Sequence, residues 1–468
     1  MRDILNGNVT HVHFIGIGGI SMSGLAEILY YNGYTVSGSD WTESEITNYL
    51  SGLGLKIIYG NHHAENIAES TDLVVYTAAV KPDNPELQAA QQRGIPTMDR
   101  AHLLGLIMKG YKNSVAVAGV HGKTTTTSII SDVLLQAEMD PTISIGGFME
   151  NIGGPTVAGN FRIGKSPYLI LEACEYYDSF LQFYPKVGII LNIDSDHLDY
   201  FGTMERLVGS FKRFAENIPA DGTLIIYKAS KHFDKITENL KCNIITYGTK
   251  QARFWAKNVR HDNQGFPTFS IMDGKEVISE VTLKLRGAHN INNALAAVAT
   301  AVTFGVSHSN IAAGLSRAVG VKRRFEYKGK ILDNIALIDD YAHHPTEIKA
   351  SLATADGTYK RIICAFQSHT YSRTETLLEE FGKSFALADI VLILPIYAAR
   401  EVYRGEPNSL EQKLTALIKQ NGKQAFFMEN FQTAAEWIRK NMKSGDLLIT
   451  MGAGDVNLLG ECLQQGNV

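Results

Sequence analysis

One segment of the chain places glycine, lysine and threonine in the order that phosphate binding requires. An apolar run over residues 114–120 leads through Gly122 to Lys123 and Thr124. N–H groups at a helix start hold phosphate oxygens, a lysine neutralises their charge, and a threonine hydroxyl ligates Mg²⁺. Val117 stands where the first glycine of the usual GxxxxGK[ST] loop belongs, so we predict a shorter GxxGKT loop. The alternative, an ordinary glycine turn, leaves the lysine-threonine pair unexplained.

Acidic residues follow two further apolar runs, at positions that suit a metal ion. Glu172 lies near the end of the run 168–173. The run 187–193 is followed by a cluster of ionisable residues: Asp194, Asp196, His197 and Asp199. Carboxylate oxygens suit Mg²⁺, and a neutral histidine nitrogen can complete its coordination. The second cluster alone is equally typical of a solvated helix N-terminus, but beside a phosphate loop we favour a magnesium site.

A second glycine loop lies near the N-terminus. Gly16, Gly18 and Gly19 follow an apolar run and open a segment of helical pattern, a geometry that lets the backbone approach a pyrophosphate closely. Ser21 occupies the third glycine position of GxGxxG, and Asp40 ends the next predicted strand, where it could accept from a sugar hydroxyl. A tight strand-to-helix turn is the alternative. Two phosphate-type loops indicate two phosphorylated ligands rather than one dinucleotide.

Four more polar clusters, over residues 287–294, 323–325, 339–347 and 367–373, follow apolar or helical segments. Each one alone could be a helix cap or a surface loop, and Asn290 alone is more typical of an N-cap than of a base contact. The cluster at 339–347 is harder to dismiss, because it gathers acidic, aromatic and histidine side chains at the carboxyl end of a predicted strand.

Strands and helices must hold these loops in place. The chain alternates short apolar runs with longer segments of helical pattern. That alternation predicts βαβ units and parallel sheets. We predict an α/β fold of three domains, over residues 1–108, 109–320 and 321–468: Rossmann-like, P-loop-type ATPase and Rossmann-like. The stretch 221–285 has a more two-fold, turn-rich pattern, which favours an antiparallel insertion, and an alanine-rich helix is predicted at 292–303.

Composition excludes several classes of protein. Of the 468 residues, 45% are hydrophobic and 20% are charged, the balance of a globular protein with large cores. The net charge of -4 lacks the excess of positive charge that is typical of nucleic-acid-binding proteins. No apolar stretch reaches the length of a membrane span. The start of the chain lacks the apolar core of a secretory signal. The four cysteines show no CxxC spacing, so we expect free thiols in the cytoplasm.

Taken in order from about residue 11 to 457, the motifs resemble those of the Mur ligases. They are GIGGISMSGLAE, HGKTTT, EACE, NIDSDHLD, GAHNINNALAA, RRFE, DDYAHHPTEI and MGAGD. The resemblance implies ATP-dependent ligation of L-alanine to the lactyl carboxylate of UDP-N-acetylmuramate through an acyl phosphate, in peptidoglycan precursor synthesis. It also implies ATP and Mg²⁺ as cofactors, no nucleic-acid partner, and a monomer or homodimer.

The resemblance assigns roles position by position. Catalytic roles fall on Lys123, Glu172, His197, Arg324 and His343. Ligation of two Mg²⁺ ions is assigned to Thr124, Glu172 and His197. ATP contacts fall on Gly119, His121, Gly122, Lys123, Thr124, Thr125, His289, Asn290, Asn293, Arg324 and Asp340. Contacts to the sugar nucleotide and the amino acid fall on Gly16, Gly18, Gly19, Ser21, Asp40, His62, Tyr341, His343, His369 and Arg373.

The sequence departs from the family pattern at three positions. Cys174 and Tyr177 replace the two aspartates of the usual stretch EADE-S/Y-D. Ser368 replaces the proline of FQPHxYSR, which we expect to loosen the loop carrying His369 and Arg373. Three alternatives stay open: a recycling ligase that attaches a tripeptide to the same sugar nucleotide, a nicotinamide-dependent dehydrogenase, and a catalytically silent UDP-sugar sensor. The dehydrogenase leaves the second phosphate loop and the acidic clusters unexplained.

Overall fold

The computed structural model describes residues 5, 7–77, 80–149, 152, 159–195, 198–332, 334–399, 401 and 405–465. Contacts divide the chain into two compact units. The first comprises Met1–Val259, Phe269–Thr282 and Asn292–Val319, and the second comprises Arg260–Thr268, Leu283–Ile291 and Gly320–Val468. The described residues form two sheets in the first unit and a third sheet in the second unit. Among them, no helix is long and apolar enough to cross a membrane.

The first sheet is parallel, with the strand order β3-β2-β1-β4-β5. Its strands are β1 (His11–Ile15), β2 (Thr35–Asp40), β3 (Lys56–Tyr59), β4 (Leu73–Tyr76) and β5 (Thr97–Asp99). Its helices are α1 (Ile20–Tyr31), α2 (Glu45–Gly52), α3 (Pro85–Gln92) and α4 (Arg100–Lys109), with a 3₁₀ turn at Ala64–Asn66. The order reverses at β1, so ligands are expected beside its carboxyl end, where the first glycine loop begins.

The second sheet has the order β15-β14-β13-β12-β11-β10-β6-β9-β7-β8. Its strands are β6 (Asn113–Ala118), β7 (Thr142–Ser144), β8 (Phe161–Arg162), β9 (Tyr168–Glu172), β10 (Val187–Ile190), β11 (Thr223–Tyr227), β12 (Asn243–Tyr247), β13 (Phe254–His261), β14 (Pro267–Asp273) and β15 (Glu276–Thr282). Its helices are α5 (Lys123–Gln136), α6 (Leu198–Phe201), α7 (Met204–Glu216), α8 (Phe233–Thr237), α9 (Ala288–Thr303) and α10 (His308–Arg317), with a 3₁₀ segment at Tyr176–Gln182.

Strand β6 lies inside this sheet and pairs in parallel with β9 on one side and β10 on the other. Valine and alanine side chains at 115–118 are fully buried, which explains why the sequence there is apolar without alternation. The antiparallel expectation for 221–285 is wrong for its first two strands, because β11 pairs in parallel with both β10 and β12. Helix α8 connects these two strands, as a parallel crossover requires.

The third sheet has the order β16-β17-β21-β18-β19-β20, in which only the β16–β17 pair is antiparallel among the pairings of the described residues. Its strands are β16 (Glu326–Ile331), β17 (Ile335–Asp340), β18 (Arg361–Phe366), β19 (Ile390–Ile393), β20 (Gln424–Phe427) and β21 (Asp446–Met451). Its helices are α11 (Pro345–Ala355), α12 (Tyr371–Thr376), α13 (Leu378–Gly382), α14 (Ser409–Gln420), α15 (Phe431–Asn441) and α16 (Asn457–Gln465). Buried side chains cover both faces of this sheet, so its polar residues collect at strand ends.

Candidate active site

The predicted phosphate loop joins β6 to α5. Gly119 and Gly122 have φ angles of 141° and 83°, which disfavour any residue with a side chain. A Cβ at Gly119 would lie 3.0 Å from the Cβ of Leu191, so the loop also packs closely on the end of β10. Helix α5 begins at Lys123, and its N-cap Gly122 has no side chain to satisfy the first N–H groups. The helix start is therefore built as an anion site.

The ammonium of Lys123 lies inside this loop and is paired with Glu175. Its Nζ donates to the carbonyl oxygens of Gly119 at 2.5 Å and Val120 at 3.2 Å, and to Glu175 Oε2 at 2.9 Å. The Glu175 side chain is fully buried. Burial alone would lower the pKa of Lys123. The charge and hydrogen bond of Glu175, together with the nearby Cys174 and Glu172, outweigh burial and raise the pKa, so the ammonium stays charged.

Two oxygen ligands of the predicted metal site lie together at the start of α5. The Thr124 hydroxyl donates to Glu172 Oε2 at 3.2 Å, and the N–H of Gly146 donates to Glu172 Oε1 at 2.7 Å. A Cβ at Gly146 would come within 2.9 Å of the same carboxylate, so a larger residue there would displace the Glu172 carboxylate. A hydroxyl and a carboxylate beside a phosphate loop fit a hard divalent cation such as Mg²⁺.

The third predicted metal ligand, His197, lies outside the described residues, as does Asp196. Within the described part of the chain, no group of three metal-ligating side chains is assembled. The start of the same segment braces the phosphate loop instead. Asn192 exchanges two hydrogen bonds of 2.8 Å with the backbone of His121, whose Nε2 lies 3.3 Å from Asp194 Oδ2.

Helix α9 carries the amides that were assigned to adenine. Asn293 is buried, and its Oδ1 would lie 3.0 Å from a Cβ at Gly122, so this amide lies against the phosphate loop. Asn290, in the first turn of α9, donates from Nδ2 to the carbonyl oxygen of Arg286 at 2.7 Å. His289 is exposed.

The first glycine loop is closed by Asp40. Its Oδ2 accepts from the N–H of Gly18 at 2.7 Å, and its Oδ1 accepts from the N–H of Trp41 at 2.8 Å. A Cβ at Gly18 would lie 2.7 Å from Thr47, so the close approach requires glycine. Asp40 thus shapes the loop, which the sequence prediction of a sugar contact did not anticipate. Gly19 and Ser21 are exposed at its surface.

In the second unit, the carboxyl end of β17 gathers the predicted charged residues. Asp340 is buried and accepts from the hydroxyl of Ser351 at 2.5 Å and from the N–H of Ala342 at 3.1 Å. Burial raises the pKa of Asp340 to about 6. The guanidinium of Arg324 lies 5.2 Å from the centre of the Tyr341 ring, a cation–π distance.

A histidine pair lies beside this strand end. The rings of His343 and His369 are 5.8 Å apart, and His369 stacks on Tyr397 at the same separation. His343 Nδ1 lies 2.9 Å from the carbonyl oxygen of Tyr341, and burial lowers the pKa of His343 to about 4. The ring is therefore neutral at physiological pH. The charge of Arg373 also lowers the pKa of His343 and that of His369, so the arginine acts on both.

The three departures from the family pattern have physical consequences. Ser368 is buried and lies within 2.6 Å of the Thr374 hydroxyl, so it ties down the loop that we expected it to loosen. Tyr177 is 56% exposed and supplies no carboxylate, whereas the next residue, Asp178, accepts from Tyr200 at 3.1 Å. Burial raises the pKa of the Cys174 thiol, which keeps it neutral.

Sequence reasoning missed Glu175 and Glu86. Glu175 lies three residues after Glu172 in the EACE run, and that spacing after a strand end was the available signal. Glu86 is fully buried and lies 2.8 Å from Nδ1 of His62, which was predicted to bind the sugar nucleotide. No local pattern marks Glu86, because its partners come from distant strands.

Comparison with known proteins identifies the family. Three models match in order: "Mur ligase family, catalytic domain" over residues 11–112, "Mur ligase middle domain" over 117–301, and "Mur ligase, glutamate ligase domain" over 323–454. The UDP-N-acetylmuramate–L-alanine ligase of Acetivibrio thermocellus is 50% identical over 454 residues, which cover 96% of this chain and 95% of that protein. The ligase of the same name from Alkaliphilus metalliredigens is 48% identical, covering 97% of this chain and 96% of that protein.

A solved structure gives the same result. The crystal structure of the UDP-N-acetylmuramate-alanine ligase of Thermotoga maritima is 29% identical, covers 97% of this chain and 98% of its own, and has a TM-score of 0.79. The fold and the phosphate loop thus define a three-domain α/β ligase, as the sequence predicted. The chain belongs to the Mur ligase family. The exact domain boundaries at 108/109 and 320/321 stay predictions.

Proposed function

We propose that this chain joins L-alanine to the lactyl carboxylate of UDP-N-acetylmuramate with cleavage of ATP to ADP and phosphate, in peptidoglycan precursor synthesis. The observation that carries this proposal is the identity of about half the residues with ligases of that name along nearly the whole chain. The phosphate loop with Lys123, Thr124 and Glu172 supports the chemistry independently.

A carboxylate is a poor electrophile, so the reaction needs an activated intermediate. A carboxylate oxygen attacks the γ-phosphorus of ATP, the bond to the bridging oxygen breaks, and ADP leaves with that electron pair. The alanine amine then attacks the acyl phosphate carbon. The tetrahedral intermediate expels inorganic phosphate, and the amine loses a proton as the amide forms. Positioning and charge neutralisation supply most of the acceleration in such phosphoryl transfers.

We assign the handling of the triphosphate to the start of α5. The backbone N–H groups of Gly122, Lys123, Thr124 and Thr125 bind phosphate oxygens, and the Lys123 ammonium offsets their charge. Glu175 holds that ammonium in the loop before ATP arrives. Thr124 and Glu172, with His197, would hold Mg²⁺, which supplies further neutralisation of the phosphate charge.

The remaining assignments follow the predicted roles. We propose that the loop at Gly16, Gly18 and Gly19, with Ser21, Asp40 and His62, binds the sugar nucleotide. His289, Asn290 and Asn293 would contact adenine, and Asp340 the ribose. Arg324 would offset developing phosphate charge, while Tyr341, His343, His369 and Arg373 would face the lactyl carboxylate and the amino acid. Cytoplasmic location and a monomeric or homodimeric state remain predictions.

Phosphate release from ATP tests this function. Purified protein with Mg²⁺ and ATP is assayed with UDP-N-acetylmuramate and, in separate reactions, L-alanine, glycine, L-serine or the tripeptide of the recycling ligases. We expect release that requires the sugar nucleotide and is fastest with L-alanine. Faster release with the tripeptide would identify the recycling activity, and no release with any amine would favour a silent sensor.

A further inference from the structure

A buried polar network runs beneath the first glycine loop and ends at Glu86 on α3. The Glu86 side chain is fully buried, a costly place for a carboxylate unless several donors surround it. Four donors do so: Ser39 Oγ at 2.7 Å, Asn66 Nδ2 at 2.7 Å, His62 Nδ1 at 2.8 Å and His13 Nε2 at 3.2 Å. Burial alone would raise the pKa of Glu86, but these hydrogen bonds outweigh it and lower the pKa to about 2. The carboxylate is therefore ionised at neutral pH and can only accept.

The Glu86 carboxylate determines which ring nitrogen of His62 carries a proton. A carboxylate that only accepts must receive the Nδ1–H of the ring, so the tautomer with its single proton on Nδ1 presents Nε2 as an acceptor. Within the described part of the chain, His62 Nε2 makes no hydrogen bond. The Trp41 ring, which is 62% exposed, meets the His62 ring edge-on at 5.3 Å and limits its rotation.

The same carboxylate is also connected to the glycine loop. Ser39, whose hydroxyl donates to Glu86, accepts from the N–H groups of Gly16 at 2.8 Å and Ile17 at 3.0 Å through its carbonyl oxygen. The following residue, Asp40, accepts from Gly18. The network thus holds the histidine and the loop backbone in one fixed arrangement before a ligand binds.

We propose that Glu86 is a positioning residue for the sugar nucleotide: it orients His62 so that Nε2 accepts a hydrogen bond from an O–H or N–H of that substrate. This inference rests on the proposed function. It predicts a loss confined to one of the three substrates, because Glu86 touches neither the phosphate loop of α5 nor any residue of the second unit within the described hydrogen bonds.

The test compares Glu86→Gln with a matched control. Glutamine cannot serve all four donors as an acceptor, so His62 loses its fixed orientation. Glu27→Gln is the control, since Glu27 is also a buried glutamate of the first domain but pairs with Tyr49, at 3.0 Å, away from His62. We expect Glu86→Gln to raise the KM for UDP-N-acetylmuramate about tenfold, the usual cost of losing a supporting hydrogen-bond partner. The KM values for ATP and L-alanine, and all three for Glu27→Gln, are expected to stay near wild type.

A double-mutant cycle separates positioning from general damage. If Glu86 acts through His62, adding Glu86→Gln to His62→Ala should cause no further rise in that KM. An analogue lacking the ribose 2′-hydroxyl then tests one donor: the Glu86→Gln effect vanishes if that hydroxyl is the donor and persists if another O–H or N–H of the substrate is. An unchanged KM in folded Glu86→Gln, an equal rise for all three substrates, or additivity with His62→Ala would each overturn the inference.

The inference stays testable if Glu86→Gln does not fold or if the wild-type protein shows no ligation. If Glu86→Gln does not fold, Ser39→Ala removes one donor and leaves the carboxylate in place, and the same selective but smaller rise is expected; its absence would overturn the inference. If the wild-type protein shows no ligation, the proposed function fails. Binding of UDP-N-acetylmuramate by calorimetry then tests Glu86 alone, with weaker binding by Glu86→Gln expected and equal binding contradicting its role.

Discussion

The most consequential single contact is the ion pair between Lys123 and Glu175. The carboxylate is fully buried and the lysine side chain is 16% exposed, so each charge depends on the other for its solvation. Losing one partner of such a pair is strongly destabilising, whereas replacing both by neutral groups is often tolerated. The lysine completes a buried pair, and we propose that it also presents positive charge to phosphate.

We predict that Lys123→Ala destabilises the fold by about 3 kcal/mol, because it leaves Glu175 buried without its partner. It should also lower turnover by at least about a thousandfold. The double variant Lys123→Met/Glu175→Gln is the control: it should recover most of the stability but none of the activity. Urea unfolding and phosphate release measure the two effects. Recovery of turnover in the double variant would contradict a phosphate-binding role for Lys123.

A pH prediction follows from Asp340. Its pKa rises from 3.8 to about 6 on folding, so the protonated form is favoured in the fold. This contribution is fully present below about pH 4 and is lost as the pH rises through 6, at a cost of about 3 kcal/mol. Asp340→Asn should therefore gain stability relative to wild type by about 2 kcal/mol between pH 4.5 and 7.5, in urea titrations.

Asp356→Asn, at the exposed end of α11, is measured in the same titrations as a surface substitution for comparison. A pH-independent difference between Asp340→Asn and wild type would contradict the raised pKa of Asp340. Since Asp340 is also assigned to the ATP ribose, its asparagine variant should bind ATP more weakly even where it is more stable.

At the residue scale, sequence reasoning found side chains that lie in contiguous motifs. Thr124 and Glu172 were predicted as neighbours and lie 3.2 Å apart. Glu86 could not be found in this way, because its four donors come from residues 13 to 66 and only the folded sheet brings them together. The expectation about Ser368 considered only the lost proline, and its hydrogen bond with Thr374 was not predicted because nothing in the motif marks it.

At the scale of elements, the critical unit is β6, its glycine loop and α5. A strand that is buried on both faces fixes the start of the loop, and Gly122 allows the left-handed turn that starts the helix. Sequence alone predicted this unit well because a buried apolar run, two glycines and a helix start are all local signals. It failed at β11 and β12, where an alternating pattern suggested antiparallel pairing although the strands are parallel.

Gly122→Ala tests this unit. The residue has a φ of 83°, and an added Cβ would lie 3.0 Å from Asn293 Oδ1, so alanine strains the backbone there and either the loop or the Asn293 amide has to move. We expect kcat/KM for ATP to fall about tenfold or more, since small displacements of catalytic groups are costly. Gly202→Ala is the control: its φ is 70° and an added Cβ meets nothing within 4 Å.

Gly202→Ala should carry the backbone strain, about 1 kcal/mol, and leave kcat/KM for ATP unchanged. Thermal melting of both variants measures the loss of stability caused by backbone strain. Steady-state kinetics measures the change in kcat/KM for ATP caused by displacement of the loop. An equal loss of ATP efficiency in the two variants would mean that strain, not the position of the loop, limits the reaction.

At the scale of the whole molecule, three α/β domains each present polar residues at the carboxyl ends of strands. The order of motifs along the chain predicted this organisation, because each motif follows a strand and the βαβ pattern repeats. Substrate identity could not come from physical reasoning about the residues: a pocket for alanine differs from one for glycine or serine by a few atoms. The identity of half the residues with named ligases supplies that part.

The transfer of a labelled oxygen tests whether the lactyl carboxylate is activated as an acyl phosphate. UDP-N-acetylmuramate carrying ¹⁸O in its lactyl carboxylate is incubated with ATP, Mg²⁺ and L-alanine, and the phosphate is examined by mass spectrometry. Activation through an acyl phosphate predicts one ¹⁸O atom in each inorganic phosphate and ADP as the other product. Unlabelled phosphate, or label in AMP, would show that the carboxylate never attacks the γ-phosphorus, and would contradict the role given to Lys123 and its loop.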